Sequence, residues 1–203
     1  MTFLETHGPA SDLVVSHVRR AVVGDRKLSN TQPFLRCLGG RVHVFAHNGY
    51  VPLPEPEDRL PWLRPLGETD SEALFCRLLE DLEPLWRGSD TPSLEARTEV
   101  VTDFARSMSG LGALNFMYCD GLTLFAHSHR RTIPGEEIST DPGLYVLRRD
   151  RVAKDCEQRL CEGLSHQGEC ESAVLIATVP LDDQPWAPME AGEMLRLEKG
   201  KVV

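Results

Sequence analysis

The sequence predicts an α+β fold, because two amphipathic helices sit in mid-chain with hairpin-linked strands on either side. Thr69 and Glu72 stand at capping-box spacing, and Leu74, Phe75, Leu78, Leu79 and Leu82 follow at helical period. Pro92 opens a second helix at its first turn. Leu94, Val101, Phe104, Ala105 and Met108 share one side of it, and Gly110 and Gly112 end it.

The strands follow from shorter signals. Residues 13–19 form the first candidate, with His17 and Arg19 on one face and Val18 on the other. Residues 42–46 are β-branched and aromatic and run into Asn48-Gly49, a strong turn dipeptide. Residues 114–119 and 122–126 flank Asp120-Gly121, which reads as a two-residue type I′ hairpin. Residues 143–147 and 173–179 add two more strands, and 173–177 is apolar on both faces, as in a strand covered on each side. Residues 194–197 and Val202-Val203 close the chain as a hairpin around Lys199-Gly200. No repeat and no internal boundary divides these elements, so residues 1–203 are read as one domain.

Composition narrows the function classes. With 203 residues, 41% of them hydrophobic, the chain can bury one sizeable core. A formal net charge of −9 argues against a phosphate-backbone binder, which needs cations to release counterions. No apolar run reaches membrane-spanning length, and residues 1–11 have neither a basic start nor an apolar core. The expected location is cytoplasmic, with no membrane partner and no nucleic acid. Cys37, Cys76, Cys119, Cys156, Cys161 and Cys170 have no framework spacing and are expected to be reduced. Cys156, Cys161, His166 and Cys170 cluster, but their spacing matches no finger or ribbon, so neither metal nor cofactor is expected. His127 and His129 are read as surface histidines away from Asn48.

The segment with most chemistry is Phe45-Ala46-His47-Asn48-Gly49-Tyr50. An Asn-Gly pair at a strand's end can present a side-chain amide beside a backbone N–H, the two donors that stabilise an oxyanion. Asp70, in the first turn of the predicted helix, is favoured by the helix dipole and can meet a ligand ammonium.

His17-Val18-Arg19, Asn30-Thr31-Gln32-Pro33-Phe34, His47-Asn48-Gly49 and Thr69-Asp70-Ser71-Glu72 occur in one order along the chain. This order resembles the glutaminase domain of class II (N-terminal-nucleophile) glutamine amidotransferases, and most of all their short stand-alone bacterial members. The resemblance implies a four-layer αββα Ntn-hydrolase sandwich, with Asn48 and Gly49 as the oxyanion hole. It assigns substrate binding to Arg19, His47 and Asp70, with Arg19 on the α-carboxylate of a glutamine or γ-glutamyl compound and Asp70 on its α-ammonium. Residues 52–65, rich in proline, are expected to cover the pocket. Relatives attack the amide with an N-terminal Cys, whereas this sequence starts Met1-Thr2-Phe3 and has no Cys before Cys37. The expectation is therefore a domain truncated at its N-terminus, without its nucleophile and its first strands. An exposed edge is then left for self-association or a partner chain. The alternative is a pseudoenzyme that binds a glutamine-like ligand or a partner protein.

Overall fold

The computed structural model describes residues 11–18, 24–53, 62–88, 90–132, 139–140, 142–150, 158–161, 164–166 and 172–203. A six-stranded antiparallel sheet forms its centre, in the order β1 (Phe34–Leu38), β2 (Arg41–Tyr50), β3 (Ala113–Cys119), β4 (Leu124–His127), β12 (Met194–Glu198) and β13 (Lys201–Val202). A second antiparallel sheet has β7 (Tyr145–Asp150) between β10 (Ser172–Ala177) and β11 (Ala187–Pro188). Two short ribbons pair β5 (Arg131–Thr132) with β6 (Ser139–Thr140), and β8 (Gln158–Cys161) with β9 (Leu164–His166). The helices are α1 (Asp70–Trp86) and α2 (Leu94–Ser109).

Strand alternation divides the central sheet into two faces. Phe45 and His47 of β2, Phe116 and Tyr118 of β3, and Phe125 and His127 of β4 share the face under the helices. Phe45 stacks on Phe75 of α1 at 5.3 Å between centroids, and Phe104 of α2 meets Phe116 edge-on at 5.9 Å. All four rings are buried, each contributing about 1.5–3 kcal/mol of transfer free energy. On the opposite face Met117, Ala126, Leu195 and Leu197 pack with Leu144, Val146, Val174 and Ile176 of the second sheet and its approach. Helices, sheet and sheet are thus stacked in that order, and among the described residues both helices lie on one side.

Several elements differ from the sequence expectation. Residues 11–18 form no strand, and Arg19, the end of that expectation, lies outside the described residues. β2 does not turn at Asn48-Gly49; it continues to Tyr50, paired with β3 from Val44 onward. The β3–β4 turn is displaced by one residue. The Asp120 N–H bonds the Thr123 carbonyl, so Gly121 and Leu122 are the central pair, and only Gly121 has positive φ, the II′ pattern. Asp120 is instead the anchor: its carboxylate takes the Leu122 and Thr123 N–H groups and the guanidinium of buried Arg97 at 2.5 Å. The closing hairpin has positive φ at both Lys199 and Gly200, as a type I′ turn requires. Pro92 lies just before α2 and not in its first turn; Ser93 caps the helix, its hydroxyl accepting the Ala96 N–H. β10 is half-buried apart from Leu175, since it lies at an edge of the smaller sheet.

Candidate functional site

β1 pairs with β2 only as far as Phe34 opposite Phe45, so among the described residues no strand covers that side of β2 beyond Phe45. There the N–H of His47 is taken by the Gln32 side chain at 2.6 Å. On the covered side the Asn48 carbonyl accepts a hydrogen bond from Asn115 Nδ2 of β3 at 3.0 Å. The peptide is planar and trans, so the N–H of Gly49 points opposite to that carbonyl. It is therefore directed away from β3, to the edge that β1 leaves open. Gly49 has φ of 144°, and a methyl group there would stand 2.0 Å from the Ala113 carbonyl oxygen. No side chain fits, which is why glycine occupies this point in a strand. The Asn48 side chain is half-exposed, on the face opposite His47, and makes no hydrogen bond among the described residues.

His47 is enclosed on all sides. Nε2 lies 3.2 Å from the Ala113 carbonyl, which only accepts, so the ring proton is on Nε2. Nδ1 then accepts the Ser71 hydroxyl at 3.0 Å. Burial pushes the His47 pKa down, and nearby His17 pushes the same way, against the partial opposition of Asp70. The 4.0 Å approach of Asp70 to Nδ1 is thus a contact with a neutral imidazole and not an ion pair. Ser71, His47 and Asp70 do not form a triad either, since hydroxyl and carboxylate both face Nδ1 and the hydroxyl is buried.

Asp70 begins α1, and its Oδ2 accepts the Val51 N–H at 2.9 Å, two residues beyond Gly49. The approach to Asp70 is held by its neighbours in sequence. Thr69 caps α1 by accepting the Glu72 N–H at 3.2 Å. Glu72 departs from the reciprocal capping box: its carboxylate takes the Leu66 and Gly67 N–H groups and pairs with Arg36 of β1. Fully buried Asn30 accepts the Glu68 N–H at 2.8 Å and donates to the Asp25 carbonyl. Gly67 passes so close that a methyl group would reach 2.2 Å from Asn30 Oδ1.

Among the residues singled out from sequence, Asn48, Gly49, His47 and Asp70 are brought together at the exit of β2. Arg19 lies outside the described residues, as do residues 54–61 of the proline-rich segment. Cys156 and Cys170 also lie outside them, and no group of three metal-ligating side chains occurs among the described residues. Cys37 and Cys119 face Val42 and Val44, toward the other end of β2, and Cys76 is enclosed in α1.

The surface reading of His127 is corrected. Its ring is buried against Phe116, donates from Nδ1 to the Leu114 carbonyl at 3.0 Å, and has its pKa lowered to about 4 by burial. The segment after it reaches the site as well, because the His129 N–H is accepted by Asn115. Ser71 stands in the Thr69–Glu72 motif without a role assigned to it, and Asn115 and Gln32 carry no weight in a motif reading, although an amide between Leu114 and Phe116 in an apolar strand was a visible signal.

The family model for class II glutamine amidotransferases matches residues 2–203. An uncharacterized protein of Methanocaldococcus jannaschii is 29% identical over 95% of this chain and 52% of its own length. A Haemophilus influenzae protein named "Putative glutamine amidotransferase" is 30% identical over 94% of this chain and 61% of its own length. The chain therefore spans little more than half the length of these relatives. A crystal structure of a predicted glutamine amidotransferase from Pseudomonas aeruginosa superposes with a TM-score of 0.68 at 30% identity, covering 87% of this chain and 65% of that one. Among the described residues no helix is long and apolar enough to cross a membrane. The architecture is a mixed α/β fold of antiparallel sheets and two helices similar to that structure, and the chain belongs to the class II glutamine amidotransferases.

Proposed function

We propose that this chain carries the glutamine-binding half of an amidohydrolase acting on the γ-amide of glutamine, or on a γ-glutamyl bond. The observation that carries the reading is the Asn48–Gly49 peptide, whose N–H is aimed at the open edge of β2 beside an uncommitted Asn48 carboxamide. These two donors would hold the oxygen that becomes negative when the amide carbon turns tetrahedral. Asp70 supplies a carboxylate at the strand's exit for the α-ammonium, and Arg19 a planar cation for the α-carboxylate. His47, enclosed, acts as the support that keeps Ser71 and Asp70 in register with β2.

The stacking of helices, sheet and sheet supports the Ntn-hydrolase sandwich as the parent architecture. The attacking group in that chemistry is an N-terminal thiol whose own amine takes the proton. Among the described residues Cys37 and Cys119 face the other end of β2 and Cys76 is enclosed in α1; the second reading is a glutamine-binding chain without the chemistry. A partner chain or a second copy is proposed to meet the outer edge of β1.

Titration calorimetry of the chain with L-glutamine, paired with an ammonia-release assay, tests both readings. Binding with release supports the amidohydrolase. Binding without release supports the pocket alone, and no binding removes both.

A further inference from the structure

We propose that Asn115 is the positioning residue of the oxyanion hole, setting the direction of the Gly49 N–H through the Asn48 carbonyl. The inference rests on the glutamine-site reading above. Both Nδ2 protons of Asn115 are committed, one to the Asn48 carbonyl at 3.0 Å and one to the Arg130 carbonyl at 2.8 Å. Oδ1 accepts the His129 N–H at 2.7 Å. The amide therefore ties β2 to the segment after β4, across β3. It has one orientation only, because swapping its oxygen and nitrogen would set oxygen against two carbonyls and nitrogen against an N–H. Its side chain is enclosed at 1% exposure, and Gly143 seals it: a methyl group on Gly143 would lie 1.6 Å from Oδ1.

The consequence reaches Gly49 by rigid geometry. A trans peptide has one plane, so holding its carbonyl holds its N–H. Gly49 adds little restraint of its own beyond the β3 ladder, since its φ lies where glycine moves freely and other residues do not. Without the Asn115 amide only the ladder to β3 holds this peptide, at a glycine whose φ leaves it room to tilt, and the donor loses its aim. A residue that touches no substrate thus decides whether the oxyanion hole is formed before the substrate arrives, which is where such donors gain most of their effect.

The test uses two ligands with the same amino-acid end. L-methionine sulfone places tetrahedral sulfonyl oxygens where the amide carbon of glutamine would become tetrahedral, and L-norleucine has none. Affinities are measured by calorimetry for the chain and for Asn115→Asp, which keeps shape and removes both donors. Asn115→Ser, which removes them without adding charge, is the companion if the aspartate variant fails to fold. The parent chain is expected to prefer the sulfone, and the variant to lose that preference by about 10- to 100-fold with norleucine affinity held within twofold. A variant that keeps the preference overturns the role of Asn115 and leaves the glutamine-site reading standing. Equal losses for both ligands assign Asn115 to general structure and also overturn it. A parent chain that binds neither ligand removes the site reading and this inference together.

Discussion

The carboxylate of Asp70 accepts the Val51 N–H at 2.9 Å, which fastens the first residue of α1 to the exit of β2. One oxygen is used in this bond, and the other makes no hydrogen bond among the described residues. The same group therefore has a structural bond and an available charge, and substitutions can separate them. Asp70→Asn keeps an acceptor for Val51 and removes the charge. Calorimetry should show L-glutamine affinity reduced roughly 10- to 100-fold with the melting temperature little changed. Asp70→Ala also strands the Val51 N–H, and urea unfolding should show a further loss of about 1–3 kcal/mol.

Gly49→Ala tests the strand geometry. The new methyl group would overlap the Ala113 carbonyl, at a φ that other residues avoid. Either β2 separates from β3 at this point or the peptide rotates. A stability loss of at least about 2 kcal/mol is expected in urea unfolding. An alanine variant as stable as the parent would mean that the strand does not take this path.

Glu72→Ala removes the acceptor for the Leu66 and Gly67 N–H groups and the buried partner of Arg36. The expected loss is about 3–5 kcal/mol, as for breaking a buried pair on one side. Hydrogen exchange should show Gly67 opening first, with glutamine affinity falling because Asp70 is no longer held. Unchanged exchange at Gly67 would contradict the role given to Glu72.

Acid sensitivity should come from the buried histidines. The folded pKa of His127 is lowered to about 4, against an ordinary value near 6.5. Between these values the unfolded chain binds a proton that the folded chain refuses, so stability rises with pH across this window. Full stability is present above pH 6.5, and about 3 kcal/mol is lost from this group as pH falls to 4. His43 and His47, also lowered by burial, add in the same direction. His127→Phe keeps the stack on Phe116 and removes the proton, so the stability profile between pH 4 and 6.5 should flatten. A profile as steep as the parent's would place the acid sensitivity elsewhere.

The two helices were legible in the sequence because amphipathic period is local: Thr69 with Glu72, and the apolar sets from Leu74 to Leu82 and from Leu94 to Met108, repeat every three or four residues, whereas the Ser93 cap was not read. The family and the identities of Asn48, Gly49 and Asp70 were legible for a related reason, since short ordered motifs survive without knowledge of distant contacts. The strand path at Asn48-Gly49 was not. The dipeptide has the chemistry of a turn, yet β3 pairs with it across the sheet and keeps it extended. The β3–β4 turn moved by one residue for a similar cause: Asp120 is drawn to Arg97, 23 positions away.

By itself, then, the sequence determined the fold class, the family and the atoms available for chemistry, all of which depend on local order. Only the tertiary structure decided how they are aimed. His47 is neutral because Ala113 and Ser71 fix its protons in a buried site, and the Gly49 N–H faces outward because Asn115, 67 positions from Asn48, holds the carbonyl of the same rigid peptide. Direction is set by partners far apart in the chain, and no local pattern records it.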